Sequence, residues 1–85
     1  MGLFTRRSPE TVDKAAAEAF KRGDTVYIRV VYTTLDPHGV KLARRIMLIE
    51  AAGWQLEDQQ DDVKMVRGIR ESSTRLTFRA VPVVL

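Results

Sequence analysis

The chain contains no cysteine. Disulfides, thiolate metal sites and cysteine nucleophiles are excluded together, and a reducing, cytoplasmic setting is the one such a chain fits. A single histidine, His38, leaves the usual zinc arrangements without ligands, so no metal is expected. No apolar run approaches the eighteen or so residues of a membrane span, and the opening MGLFTRR lacks an apolar signal region; no membrane partner is expected. The myristoylation pattern fails as well, because Arg6 stands where a Ser or Thr is required. Aromatic residues make up only 7%, which restricts any surface built on stacked rings.

What is present is an ordinary globular composition. With 45% hydrophobic and 29% charged residues, the chain has enough apolar content to fold. Its 85 residues support one core rather than two, burying roughly 60–65% of the unfolded surface. Residues 1–7 read as a flexible basic arm and residues 8–85 as the single domain. The net charge of +3 permits an anionic partner without demanding one. Ten of the fourteen basic residues are Arg, and a GC-rich bacterial or phage genome is the simplest source of that bias.

Along the chain, Ser8-Pro9-Glu10 has the residue types of a helix start, and Val12, Ala15, Ala16, Ala19 and Phe20 then fall on one helical stripe. Gly23 ends this helix. Residues 25–34, TVYIRVVYTT, are β-branched and aromatic and read as a strand. Its two faces compete. Val26, Ile28, Val30 and Tyr32 are read as the core side, with Tyr27, Arg29, Val31 and Thr33 opposite. Asp36 and Pro37 open the central helix, which carries Leu42, Ile46 and Ile49 in one row and runs to Gly53. A short strand at 54–56 is expected next, then an acidic hairpin tip, EDQQDD, at 57–62. Strands follow at 63–70 and from Thr74, where Leu76, Phe78 and Ala80 alternate with Arg75, Thr77 and Arg79. Gly68 is read as a bulge and Ser72-Ser73 as a turn. The expected fold is α+β in the order α-β-α-β-β-β, an antiparallel sheet with both helices on one face.

Gly53-Trp54-Gln55-Leu56 followed by a hairpin, and less specifically Phe78-Arg79, resemble a family of small, functionally uncharacterised bacterial domains. In that family a helix ends in a Gly-Trp-Glu-Leu motif ahead of a β-hairpin. The resemblance covers Leu42 to Arg79, about half the chain. It implies the fold and carries no activity or site. The motif also has a direct physical reading, with Gly53 turning the backbone while Trp54 and Leu56 plug the space between helix and sheet.

No pair of groups presents itself for acid–base or nucleophilic work, so the chain reads as non-enzymatic and without a cofactor. His38 lies near Asp36, but Asp36 is occupied as a helix cap and no nucleophile is placed beside them. Glu57, Asp58, Asp61 and Asp62 lack the alternation and glycine of a calcium loop. The apolar segment Val81-Pro82-Val83-Val84-Leu85 is the strongest interaction signal, with Val31 and Leu48 adding apolar surface that has no obvious internal destination. The leading reading is therefore a self-associating protein-interaction module, a homodimer using Val83, Val84, Leu85, Val31 and Leu48. The second reading is a nucleic-acid interface on an open sheet face bearing Tyr27, Arg29, Arg75 and Arg79.

Overall fold

The computed structural model describes residues 11–81. The expectations resting on residues 1–10 and 82–85, including the basic arm and the apolar Val83, Val84 and Leu85, lie outside them. The class is α+β, with two helices and three antiparallel strands. In chain order these are α1 (Lys14–Lys21), β1 (Val26–Tyr32), α2 (Val40–Glu50), β2 (Trp54–Val66) and β3 (Ile69–Ala80). Spatially the sheet runs β1-β3-β2, so the last strand made is the central one and β1 and β2 are its edges.

Helix α1 starts later than the expected Ser8 cap, since residues 11–13 are not helical and the cap is Asp13, whose carboxylate accepts the Ala16 amide hydrogen at 2.9 Å. It stops on Gly23, with φ of 85°. There the Asp24 and Gly23 amides close back on the carbonyls of Ala19 and Phe20, the paired bonds of a Schellman end. Helix α2 begins later than Pro37. The segment from Asp36 to Gly39 is a turn, and Asp36 reaches across it to accept from the Lys41 and Leu42 amides at 3.2 and 3.0 Å. Asp36 therefore does cap the helix, from outside the residue next to it.

The hairpin differs from expectation in a way that backbone chemistry explains. The short strand at 54–56 and the strand at 63–70 are parts of one strand, β2, and the acidic stretch lies within it rather than at a tip. The reversal falls on Arg67-Gly68, both with positive φ (52° and 77°), the requirement of a two-residue turn matched to strand twist. Gly68 thus sits in the turn and not in a bulge. The bulge lies at Leu56/Asp58, where the register with β3 slips, and Ser72 and Ser73 are paired inside β3. Acidic side chains are no obstacle here, because this length of β2 is solvated on both faces.

Ala16 and Ala19 of α1, Ile49 of α2, Trp54 of β2, and Leu76 and Phe78 of β3 make one buried cluster. Leu76 and Phe78 project from a single face of β3, which is the covered face of the sheet; Arg75, Thr77 and Arg79 project from the open one. The alanines of α1 let the helix approach closely enough for the Trp54 indole Nε1 to donate to the Ala16 carbonyl at 2.9 Å. Tyr27 stacks on the Trp54 ring at 5.6 Å between centroids, and Phe20 meets it edge-on at 5.7 Å.

Gly53 is held by two constraints. Its φ of 111° is reserved for glycine, and a Cβ there would lie 2.7 Å from the Phe20 ring. Gly53→Ala should lower unfolding free energy by about 2–3 kcal/mol in urea titrations. Gly23→Ala, whose Cβ would meet nothing within 4 Å, should lose about 1 kcal/mol from backbone strain alone. Equal losses at the two positions would show that the Phe20 contact is unimportant.

Candidate interaction surface

Strand β1 is where sequence and structure part company. Tyr27 and Val31 pack against the buried cluster, and Arg29 lies on the same side, half-buried. Val26, Ile28, Val30 and Tyr32 face outward and are 42, 57, 45 and 72% exposed. The assignment of the two faces is therefore reversed.

The cause is an ion-pair cluster. Asp13 is only 3% exposed, and one oxygen of its carboxylate accepts from the Arg29 guanidinium at 3.0 Å and the Arg45 guanidinium at 2.7 Å. Arg29 also donates to the Tyr27 hydroxyl at 3.2 Å. One carboxylate so ties the start of α1 to β1 and α2, while its other oxygen caps α1. Burial raises the Asp13 pKa, but the Ala16 amide and the two guanidinium groups outweigh it and hold it below the ordinary 3.8. For Arg29, burial pulls the other way too, and Tyr27 and Asp13 together leave its pKa raised.

A face carrying an arginine between a tyrosine and a valine looks like the solvent side. With Asp13 waiting on α1, it is the inner one.

This placement separates the residues expected to form a nucleic-acid surface. Tyr27 and Arg29 are on the covered face, Arg75 and Arg79 on the open one, so no single surface presents all four. Arg79 makes a two-pronged pair with Glu57, which lowers the Glu57 pKa and raises that of Arg79. Arg75 donates to Gln60 at 2.5 Å. By the strand register, Asp58, Asp62 and Glu71 share the open face with Lys64, Arg75 and Arg79, and the bulged Glu57 reaches Arg79 there, so the acidic groups among these outnumber the basic ones. A phosphate backbone would meet repulsion as well as attraction.

The apolar residues expected at an interface also move. Leu48 is buried, and its carbonyl accepts the Asp13 amide at 3.0 Å; Val31 packs on the core. Both have internal destinations. In their place the structure brings out Val26, Ile28, Val30 and Tyr32, a continuous apolar row on an edge strand. Beyond the end of β1, the β2–β3 hairpin continues toward its turn with Val63, Met65 and Ile69 exposed.

Among the described residues, no group of three His, Cys, Asp or Glu side chains could hold a metal ion, and no helix is long and apolar enough to cross a membrane. His38 is exposed in the turn before α2. A shallow depression on the open face, lined by Val30, Tyr32, Gln60, Ser73 and Arg75 among others, contains no histidine beside the Ser73 hydroxyl. No protein-family model, curated protein or solved structure matches the chain.

The Asp13 cluster yields a signed pH prediction. Because the folded-state pKa is depressed, its stabilisation is present above the unfolded carboxylate value and is lost as pH falls through the folded one. Asp13→Ala removes a helix cap and the counter-charge of two arginines, and should cost about 2–4 kcal/mol at neutral pH. In urea titrations from pH 7 to pH 2, the gap between wild type and variant should narrow only at the acid end. A gap independent of pH would show that the charge is not what stabilises the cluster.

Proposed function

We propose that the chain is a small non-catalytic protein-interaction module that self-associates through strand β1. One observation carries the reading: four alternating apolar side chains stand exposed on an edge strand. Edge strands in soluble proteins are ordinarily blunted by an outward lysine, a proline, a bulge or a covering segment. From Val26 to Tyr32 there is no proline, the pairing with β3 is regular, and the only charged residue, Arg29, is turned inward. Leaving such a strand open costs solubility, and a fold this small had other ways to protect it.

The reading keeps the interaction function expected from the sequence but places it on different residues. Val26, Ile28, Val30 and Tyr32 replace Val31 and Leu48. Val83, Val84 and Leu85 lie beyond the described residues and are not needed for the proposal.

Sedimentation velocity across a hundredfold range of protein concentration tests it. The wild-type chain should shift from monomer toward a heavier species as concentration rises. Ile28→Lys places a charge on the open face of β1 and removes no core contact, so it should stay monomeric with unchanged thermal stability. A wild-type chain that remains monomeric throughout would refute self-association.

A further inference from the structure

The direction of each backbone group along β1 allows the partner and its register to be derived; this rests on the self-association reading above. The Ala80 amide donates to the Thr25 carbonyl, and the Thr33 amide donates to the Ser72 carbonyl, each across the β1–β3 seam. In an antiparallel pair, residues bonded to the neighbour alternate with residues whose groups point away. Odd-numbered residues of β1 therefore bond to β3. The amides and carbonyls of Val26, Ile28, Val30 and Tyr32 point out from the edge that no strand among the described residues pairs with, eight backbone groups in a row.

We infer that this edge pairs with the same edge of a second copy, antiparallel and centred on Arg29, so that two three-stranded sheets become one of six. Symmetry and counting select this arrangement. A two-fold contact uses the same patch twice, and a two-fold axis crossing the strand makes the pairing antiparallel. Only registers that set even residues opposite even residues bring the outward groups together. Among these, the register centred on Arg29 alone engages all four residues of each strand: Val26 opposite Tyr32, and Ile28 opposite Val30. A centre on Ile28 or on Val30 leaves one even residue of each copy without a partner.

The same register sets apolar side chains beside apolar side chains along the whole open face, and such cross-strand pairs are the unit of sheet stabilisation. On the other face it puts Tyr27 opposite Val31, and the two Arg29 residues opposite each other. Each Arg29 already faces the Asp13 carboxylate of its own chain, which offsets part of the repulsion. Seven paired residues per copy lie at the small end of interfaces, so the dimer is weak and depends on concentration. The residual repulsion between the Arg29 pair is screened by salt, and association should strengthen as ionic strength rises. That is the opposite of a phosphate-binding surface.

The chain has no cysteine, so introduced thiols are unambiguous reporters. Full-length Ile28→Cys and Val30→Cys chains, one carrying a mass tag, would be mixed in equal amounts and mildly oxidised at a concentration where sedimentation shows dimer. The expected product is the mixed disulfide, in at least threefold excess over either symmetric one, since these positions face each other only across the interface. A dominant Ile28–Ile28 or Val30–Val30 product would overturn the register. Absence of cross-linking while sedimentation still shows dimer would overturn the edge pairing and leave self-association standing. Loss of association in the wild-type chain would remove both.

Discussion

A single carboxylate sets which way the sheet faces. Asp13 sits at the one point where α1, β1 and α2 converge, and it is almost wholly withdrawn from water. A buried carboxylate needs its charge answered and its oxygens occupied, and the two guanidinium groups with the Ala16 amide do both. Arg29 and Arg45 keep partial access to solvent, so the cluster escapes the full desolvation penalty of a buried ion pair. Its effect is more one of specification than of bulk stability. With Arg29 committed inward, the alternation of the strand leaves Val26, Ile28, Val30 and Tyr32 outside, whatever their hydrophobicity.

The remaining core is arranged to accept that decision. Tyr27 and Val31, the neighbours of Arg29 on the same face, are absorbed by Trp54 and the cluster beneath it. Trp54 is buried against two other rings and hydrogen-bonded to α1, so the residue that ends the α2–β2 turn also fastens the first helix. Among the described residues, the fold then leaves Val26, Ile28, Val30 and Tyr32 as an exposed apolar row. The interface proposed at β1 rests on the same pairing that makes the core.

Much of this was legible in the sequence. The existence and ends of the two helices, though not their starts, the strand at 25–34, the turn at Gly53 with Trp54 and Leu56 behind it, and the alternation of Leu76, Phe78 and Ala80 follow from periodicity and glycine placement. What failed did so for physical reasons. In β1 both faces are apolar, so alternation could not choose between them, and the one charged residue pointed to the wrong answer because its counter-ion lies sixteen residues away on a different element. A signal was available in Asp13 itself, a strong helix cap and a poor helix interior residue, just ahead of KAAAEAF. In the hairpin, the acidic run read as a loop because charge usually marks one, yet an arm solvated on both sides tolerates it. Arg67-Gly68 was a weak turn signal, since only its second residue is a glycine and the first had to be carried into the left-handed region.

The strand order also sets a folding sequence. β2 and β3 are joined by a two-residue turn, so their pairing is local and closes quickly. β1 meets β3 only by closing a loop that contains all of α2 and β2. The hairpin should form first and β1 dock last, although β1 is made earlier on the ribosome. Between its synthesis and that of β3, the segment TVYIRVVYTT is bare along both edges and both faces. The yield of folded protein would then depend on how quickly translation passes from Tyr32 to Ala80, because that interval is when one nascent β1 can find another before its own sheet exists.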